Sequence, residues 1–553
     1  MTPETYTPKL FTVFREGYSA ATFRADAIAG LTVAIVALPL AMALGIASGA
    51  SPDKGLITAV VAGFLISALG GSRVQVGGPT GAFVVVIFNV IASHGYDGLL
   101  IATLLAGLIL ILAGVLRLGQ MIKYIPHPVV TGFTAGIAVI IASSQVKDFF
   151  GLAIDKVPAD FIPKWQAYAA ALPSASWAAI GVGVGALAII IGLRKLAPRL
   201  PGFLIAVVVS SLVVAMFNLP VDTIGSRFPD IPAGLPMPAF PEISFAKMNA
   251  VLPSAFTIAF LAGIEALLSA VVADGMAGTR HRSNQELLGQ GVANLGSALF
   301  GGLPATGAIA RTATNIRSGA KTPVAGMMHA AFLLLFILFG TDLMAYVPMA
   351  ALAAILFMVA WGMSEYQRFL VLLRMPNGDR AVLLLTFGLT ILVDLTVAIA
   401  VGVTLASLLF MARMAETVEV DGSGRRDAEL DAEDLDQRDD LPPGVEVFRI
   451  AGPFFFGVAG ELLDTLRRLG QSPRVIILRL RLMPLLDASG AQALEEFVEQ
   501  ARLAGVQIIL SGVQPQPCSM LERVGLGETS MKLSHAIDYA RAQSLAIELL
   551  EKT

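Results

Sequence analysis

Gly301-Gly302-Leu303-Pro304-Ala305-Thr306-Gly307-Ala308-Ile309-Ala310-Arg311 reads as a helix break followed at once by a helix start, set inside apolar chain. Paired glycines end a helix and the proline that follows opens the next one. Val74-Gln75-Val76-Gly77-Gly78-Pro79-Thr80-Gly81-Ala82 has the same layout. Each stretch therefore predicts a half-helix preceded by extended chain. Such backbone survives at membrane depth only where it lines a cavity or is covered by protein. The echo between the two stretches is also what Gly/Pro-rich membrane turns produce by chance.

The surrounding chain is a membrane protein by composition. Of 553 residues, 56% are hydrophobic and 14% charged, and the mean hydropathy is +0.75; a soluble domain carries about 25% charged residues. The net charge of −3 offers no basic excess for phosphates, so no nucleic-acid partner is expected. A single cysteine, Cys518, excludes an internal disulfide, and the five histidines are scattered, so neither a metal nor another cofactor is expected. The first apolar run lacks the features of a cleaved signal and reads as a retained span.

A bilayer core needs about 20 apolar residues per crossing. Spans are placed at 27–48, 55–70, 79–93, 98–116, 125–146, 176–193, 201–217, 252–273, 284–300, 310–318, 324–346, 348–363, 380–394 and 397–414, fourteen segments in all. The broken ones are third in each set of seven, which fits two related halves of opposite topology. Lys9, Arg15, Arg24, Arg73, Arg117, Lys123, Arg194, Lys195, Arg199, Arg280, Arg282, Arg317, Lys321, Arg368, Arg374, Arg380 and Arg413 fall in one set of loops. Lys54, Lys147, Lys156, Lys164, Arg227 and Lys247 fall in the other. Positive loops stay inside, so both termini are expected to be cytoplasmic in a multi-pass inner-membrane protein.

The expected organisation is a cytoplasmic segment at 1–26, a membrane domain at 27–415, an acidic linker at 416–444 and a small α/β domain at 445–553. Residues 421–440 hold nine acids and three arginines. Beyond Pro442-Pro443, strands are expected at Val445–Ile450, Arg474–Leu480 and Val506–Ser511. A helix between the last two carries Ala491, Leu494, Phe497, Val498 and Ala501 on one face.

Charges inside a bilayer are functional candidates. Two stand out, Glu265 in mid-span and Arg311 at the start of the second half-helix; their bland alternatives are a structural carboxylate and a membrane-end anchor. Helix starts carry free N–H groups and about half a positive charge, so two facing each other make an anion site. Backbone N–H groups with the Thr80 and Thr312 hydroxyls are expected to hold one anion, with Arg311 adding charge. Glu265 is the candidate proton carrier, because protonation removes a charge that repels the substrate. No nucleophile, base and orienting acid converge, so no enzyme is expected. Ser283 with Glu286 reads as a capping box. In Leu486-Asp487-Ala488-Ser489-Gly490, Ser or Asp caps a helix.

Glu265-Ala266-Leu267-Leu268-Ser269-Ala270-Val271-Val272-Ala273-Asp274-Gly275-Met276, continuing through Thr279-Arg280-His281-Arg282-Ser283-Asn284-Gln285-Glu286 to Asn294, resembles the signature of the SulP/SLC26 anion transporters. Leu38-Pro39, Gly78-Pro79-Thr80 and a C-terminal part similar to STAS domains extend the resemblance over nearly the whole chain. It implies a 7+7 inverted repeat with core and gate domains, elevator-like alternating access and a homodimer. The likeness, including Ala41-Met42-Ala43-Leu44 and the Ala310-Arg311 start, points to proton-coupled symport of C4-dicarboxylates such as succinate and fumarate. Sulfate or bicarbonate transport, or anion exchange, is the alternative. Carried over by position, the anion would lie between Gly78-Pro79-Thr80 and Ala310-Arg311-Thr312, walled by Leu40, Leu44 and Glu265. Many animal members have glutamine at the place of Leu40 and serine at that of Ala310, so their substrate preference does not transfer. Ser489 matches a serine phosphorylated in bacterial regulatory STAS proteins, and a cytoplasmic protein partner for that domain stays open. The rivals are a nucleobase carrier, which would lack the STAS-like part, and a passive anion channel or membrane sensor.

Overall fold

In the computed structural model, residues 6–120, 126–154, 157–158, 160–198, 200–229, 231–232, 234–393, 395–416, 418–422, 441–455, 473–528 and 530–552 are described. Lys123, Lys156 and Arg199 of the charge census lie outside them, as does 423–440 of the expected linker. The chain divides into one unit up to Thr404 and a second from Leu405.

The first unit is mostly helical, with one pair of short strands. Short α1 (Lys9–Glu16) precedes α2 (Ala20–Ala47), α3 (Pro52–Leu69), β1 (Gly77–Gly78), α4 (Val84–Val115), α5 (His127–Phe150), α6 (Phe161–Ala171), α7 (Trp177–Leu196), α8 (Gly202–Phe217) and α9 (Ile224–Arg227). There follow α10 (Phe245–Ala277), α11 (Ser283–Leu299), β2 (Thr306–Gly307), α12 (Ile309–Arg317), α13 (Val324–Phe339), α14 (Thr341–Met344), α15 (Met349–Met363), α16 (Tyr366–Leu372), α17 (Asn377–Leu392) and α18 (Leu395–Glu416). Each expected segment meets a helix. The expected pair 79–93 and 98–116 are the two halves of α4, which is broken at Gly95 (φ 71°, ψ −179°), a conformation that suits glycine. The expected start of the eighth span, 252, moves back to Phe245, because the Ser244 side chain caps the helix by accepting from Lys247 N. Periodicity gave no notice of α6 and α16, both too short to span.

The helices sort into two bundles. α2, α3 and α4 pack with α10, α11, α12 and α13, while α5, α7 and α8 pack with α15 and, through α5, α17. Apolar side chains drive no association between helices in lipid, so close approach of backbones supplies the attraction. At the α4–α11 crossing a Cβ on Gly107 would stand 2.8 Å from Gly291 O, and one on Gly291 would stand 2.6 Å from Gly107 O.

The second unit holds a five-stranded sheet in the order β3–β4–β5–β6–β7, with β3 Glu419–Gly422, β4 Val445–Ala451, β5 Val475–Arg479, β6 Gln507–Ser511 and β7 Ser534–Ala536. Only the β3–β4 pair is antiparallel. Residues 419–422 of the expected linker are thus an edge strand. Alternation sends Phe448, Ile450, Ile476, Leu478, Ile508 and Leu510 to one face with α19 (Ala488–Leu503). Val447, Val475, Ile477 and Ile509 go to the other face with α21 (Tyr539–Lys552), which follows α20 (Pro515–Arg523). The three expected strands and the expected helix face are found. Asp487 is the cap of α19, accepting from Gly490 N at 2.7 Å, and Ser489 is exposed in its first turn.

Candidate functional site

The two breaks meet. β1 pairs antiparallel with β2, Gly77 opposite Gly307 and Gly78 opposite Thr306, and Ala308 N donates to Val76 O at 2.9 Å. From this crossing one half-helix begins as a tight turn at Gly81–Phe83 and continues into α4 up to Gly95, and the other is α12. Antiparallel lead-in strands send the half-helices away in opposite directions while their starts stay adjacent. Thr80 and Ala308, the residues before the two starts, make no side-chain cap. The first-turn N–H groups at both starts are therefore free of side-chain partners, and the positive ends of two helix dipoles adjoin.

Arg311 joins the halves. It is 2% exposed, and Nη2 donates to Pro79 O at 2.8 Å while Nε and Nη1 have no partner among the described residues. The guanidinium lies against Gly78, whose φ is +148°; a Cβ there would stand 2.3 Å from Arg311 Nη1. A glycine is needed at 78 both for that backbone and for the arginine's reach. Glu265 Oε2 accepts the Thr80 hydroxyl at 2.8 Å. It stands close to Arg311 without forming an ion pair.

Of the residues expected at the site, Gly78, Pro79, Thr80, Glu265 and Arg311 are brought together by these contacts. Ala310 is exposed at the α12 start. Leu40 and Leu44 are buried on α2, which packs against α12. The Thr312 hydroxyl turns back onto the extended chain, accepting from Val76 N at 3.1 Å and lying 3.3 Å from Ser269 Oγ. Its geometry is that of a brace.

A polar shell behind the crossing was not anticipated. Asn294 Oδ1 accepts from Ala305 N and its Nδ2 donates to Ala305 O, both at 2.9 Å, so one side chain satisfies both backbone groups of a residue in the second break. Asn315 Nδ2 donates to Val74 O at 2.9 Å. Glu286 corrects the capping-box reading: the helix cap is Arg282, without a side-chain bond, and Ser283 Oγ lies 3.0 Å from His281 Nε2. The fully buried Glu286 carboxylate instead accepts from Gly71 N (2.8 Å), Ser72 N (3.1 Å), Gln75 Nε2 (3.2 Å) and Gln290 Nε2 (2.8 Å). Four donors outcompete one local cap. The sequence held a sign of this shell, since Glu286, Gln290, Asn294 and Ser297 recur at helical spacing along one face of α11.

With this geometry the comparisons agree. The model of the sulfate permease family matches residues 23–386, and that of the STAS domain matches 439–545. YvdB of Bacillus subtilis (strain 168), which carries a sulfate-transporter name, is 41% identical over 92% of this chain and 95% of its own length. The bicarbonate transporter BicA of Picosynechococcus sp. (strain ATCC 27264 / PCC 7002 / PR-6) is 33% identical over 91% of each chain. The solved transmembrane domain of a cyanobacterial BicA superposes with a TM-score of 0.62 at 31% identity, covering 70% of this chain and 98% of that one. Murine Solute Carrier 26 family member A9, at 18% identity, shares the fold with a TM-score of 0.85 over 98% of this chain and 94% of its own. The chain belongs to the sulfate permease (SulP/SLC26) family of anion transporters, with a C-terminal STAS domain.

Proposed function

We propose that this protein carries a small oxyanion, sulfate or bicarbonate, across the membrane by secondary active transport coupled to protons. The observation that supports it best is the pair of adjoining, uncapped helix starts with two buried, unpartnered Arg311 nitrogens beside them. Buried donors without acceptors cost free energy, and an anion placed there would satisfy them. The relatives' names speak for sulfate and bicarbonate, so the C4-dicarboxylate reading of the sequence gives way to its alternative.

The Thr80–Glu265 bond suggests the coupling. While Glu265 is a carboxylate, it takes the only proton that Thr80 can donate. Once Glu265 is protonated, its own O–H can donate to Thr80 Oγ1, which frees the Thr80 hydroxyl hydrogen for the anion and removes a repelling charge. Proton and anion would then load together. Gly78 and Pro79 shape the approach, Leu40 and Leu44 wall it, and Ala310 presents its N–H; Thr312 braces the crossing. The bundle bearing both half-helices would move against the other in an elevator-like cycle. We place the protein in the inner membrane as a homodimer with both termini cytoplasmic, and read Ser489 as a regulatory phosphorylation site at a helix start.

Uptake of labelled sulfate and bicarbonate into proteoliposomes tests the reading. Accumulation above equilibrium driven by an inward proton gradient is expected, with Glu265→Gln leaving only equilibration. Gradient-driven accumulation unchanged in Glu265→Gln would remove the carboxyl from the coupling.

A further inference from the structure

A second chamber opens beside the first half-helix, with a volume of about 190 Å³. Val84, Val85, Phe88 and Asn89 of α4, Gln145 of α5, and Lys164 and Tyr168 of α6 are among its walls. A water requires roughly 10–15 Å³ on such a measure, so a small oxyanion fits with several waters.

Helix α6 turns the wrong way for packing alone. It buries Lys164 (5% exposed) and Tyr168 (3%), one turn apart on one face, and leaves Ile162 (59%) and Trp165 (45%) outside. An ammonium turned inward is costly unless something charged meets it. Among the described residues only Asp160 acts on it with an opposite charge, and without an ion pair. Lys164 forms no ion pair among the described residues; its Nζ stands 5.8 Å from the centroid of the Phe88 ring, a weak substitute for a counterion. The Tyr168 hydroxyl is buried without a hydrogen-bond partner among the described residues.

Among the charged side chains that line the chamber, Lys147, Lys164 and Arg227 outnumber Asp148. Arg227 pairs with Asp148 through Nη2–Oδ1 at 2.8 Å and lies 3.5 Å from Asp222 Oδ2, and Lys147 donates to Ile154 O, a neutral carbonyl. Among the described residues neither Lys147 nor Lys164 forms an ion pair with a carboxylate, and Asp160 acts on Lys164 only through space. α6 is pinned in place by Trp165, whose Nε1 donates to Ser143 Oγ of α5 at 3.2 Å and whose ring meets Tyr168 edge-on at 5.9 Å. Lys164 and Tyr168 are therefore held before any ligand arrives.

We propose that this chamber is a second anion site, distinct from the crossing of the half-helices, in which Lys164 Nζ and the Tyr168 hydroxyl hold one small oxyanion. Because Val84 and Val85 lie in the first turns of the half-helix that starts after Thr80, the chamber adjoins the candidate transport site and would supply it. On the orientation proposed above it faces the outer compartment.

Trp165 is a built-in reporter. In full-length purified protein bearing Trp177→Phe and Trp361→Phe, sodium sulfate is titrated at constant ionic strength maintained with sodium chloride. A saturable change in Trp165 emission is expected. Lys164→Gln should raise its midpoint about tenfold or more, the effect of losing one charge-assisted hydrogen bond. Lys164→Arg should restore it, and Tyr168→Phe, which removes a single hydroxyl, should raise it by about three- to tenfold. Arg311→Gln should leave it in place. The proposal is overturned if no saturable change occurs, if neither Lys164→Gln nor Tyr168→Phe moves the midpoint, or if Arg311→Gln abolishes it, since the emission would then report the helix-start site. Should Lys164→Gln fail to fold, Tyr168→Phe alone decides.

Discussion

Gly78→Ala tests the crossing of the half-helices more directly than removing a charge. Two costs arise from one methyl group. The backbone at φ +148° disfavours any side chain, at about 1–3 kcal/mol. The new Cβ would also stand 2.3 Å from Arg311 Nη1 and 3.4 Å from Ala59 Cα, so backbone blocks one side and the buried guanidinium must withdraw. Withdrawal breaks the 2.8 Å bond to Pro79 O, a charge-assisted contact worth about 1.5–3 kcal/mol. If both costs fall on the folded state, stability drops by about 2.5–6 kcal/mol. If the chain absorbs them by moving Arg311, anion affinity falls roughly 10- to 150-fold instead. Isothermal titration with sulfate and a thermal unfolding midpoint, measured on the same detergent-solubilised sample, cover both routes. Gly185→Ala is the control: it lies on α7 with nothing within 4 Å of its added Cβ, so neither quantity should decline. A Gly78→Ala protein with affinity within about twofold and an unchanged midpoint would refute the argument that Arg311 rests on this glycine to reach the first half-helix.

Glu286→Gln replaces two acceptor oxygens, which receive four donors, with one acceptor and an NH₂ group; a loss of about 2–4 kcal/mol is expected, read as a lower unfolding midpoint with no change in proton coupling. An unaltered midpoint would contradict its role as the brace of the Gly71–Gln75 turn. Asp487→Ala removes the cap of α19 and should destabilise the STAS domain by about 1 kcal/mol, measured by the denaturant midpoint of that part within the full chain, while leaving sulfate transport intact. Burial holds the Lys164 ammonium below the usual lysine range, with Asp160 opposing. Asp148, Lys147, Arg227 and Tyr168 are the other groups around it, and burial with Asp148 keeps the Tyr168 phenol protonated. As pH rises, Lys164 should therefore lose its charge before an ordinary lysine does, so sulfate binding in the chamber should weaken on the alkaline side. Lys164→Arg should extend binding to higher pH, and coincident pH profiles for the two proteins would count against the lysine as ligand.

The two breaks at 74–82 and 301–311 were legible because glycine, proline and hydropathy act on their immediate neighbours along the chain. So were Glu265 and Arg311, each a charge in an apolar run, and the strands of the second unit, whose alternation is local. Thr312 shows the limit. Its place at a helix start pointed to an anion ligand, whereas its hydroxyl accepts from Val76 N, 236 residues away. Glu286 was read as a cap because spacing reports only nearby partners.

The sequence by itself determined where helices run, where they break and that Glu265 and Arg311 are charges set in apolar chain, since these follow from the cost of placing each residue type in hydrocarbon. Only tertiary structure decided what those charges meet. Thr80 donates to Glu265 across 185 residues, and Arg311 reaches Pro79 across 232. The inward turn of Lys164 on α6 belongs to the same class, because a polar group's partner is chosen by which helices pack together, and no short-range pattern encodes that choice.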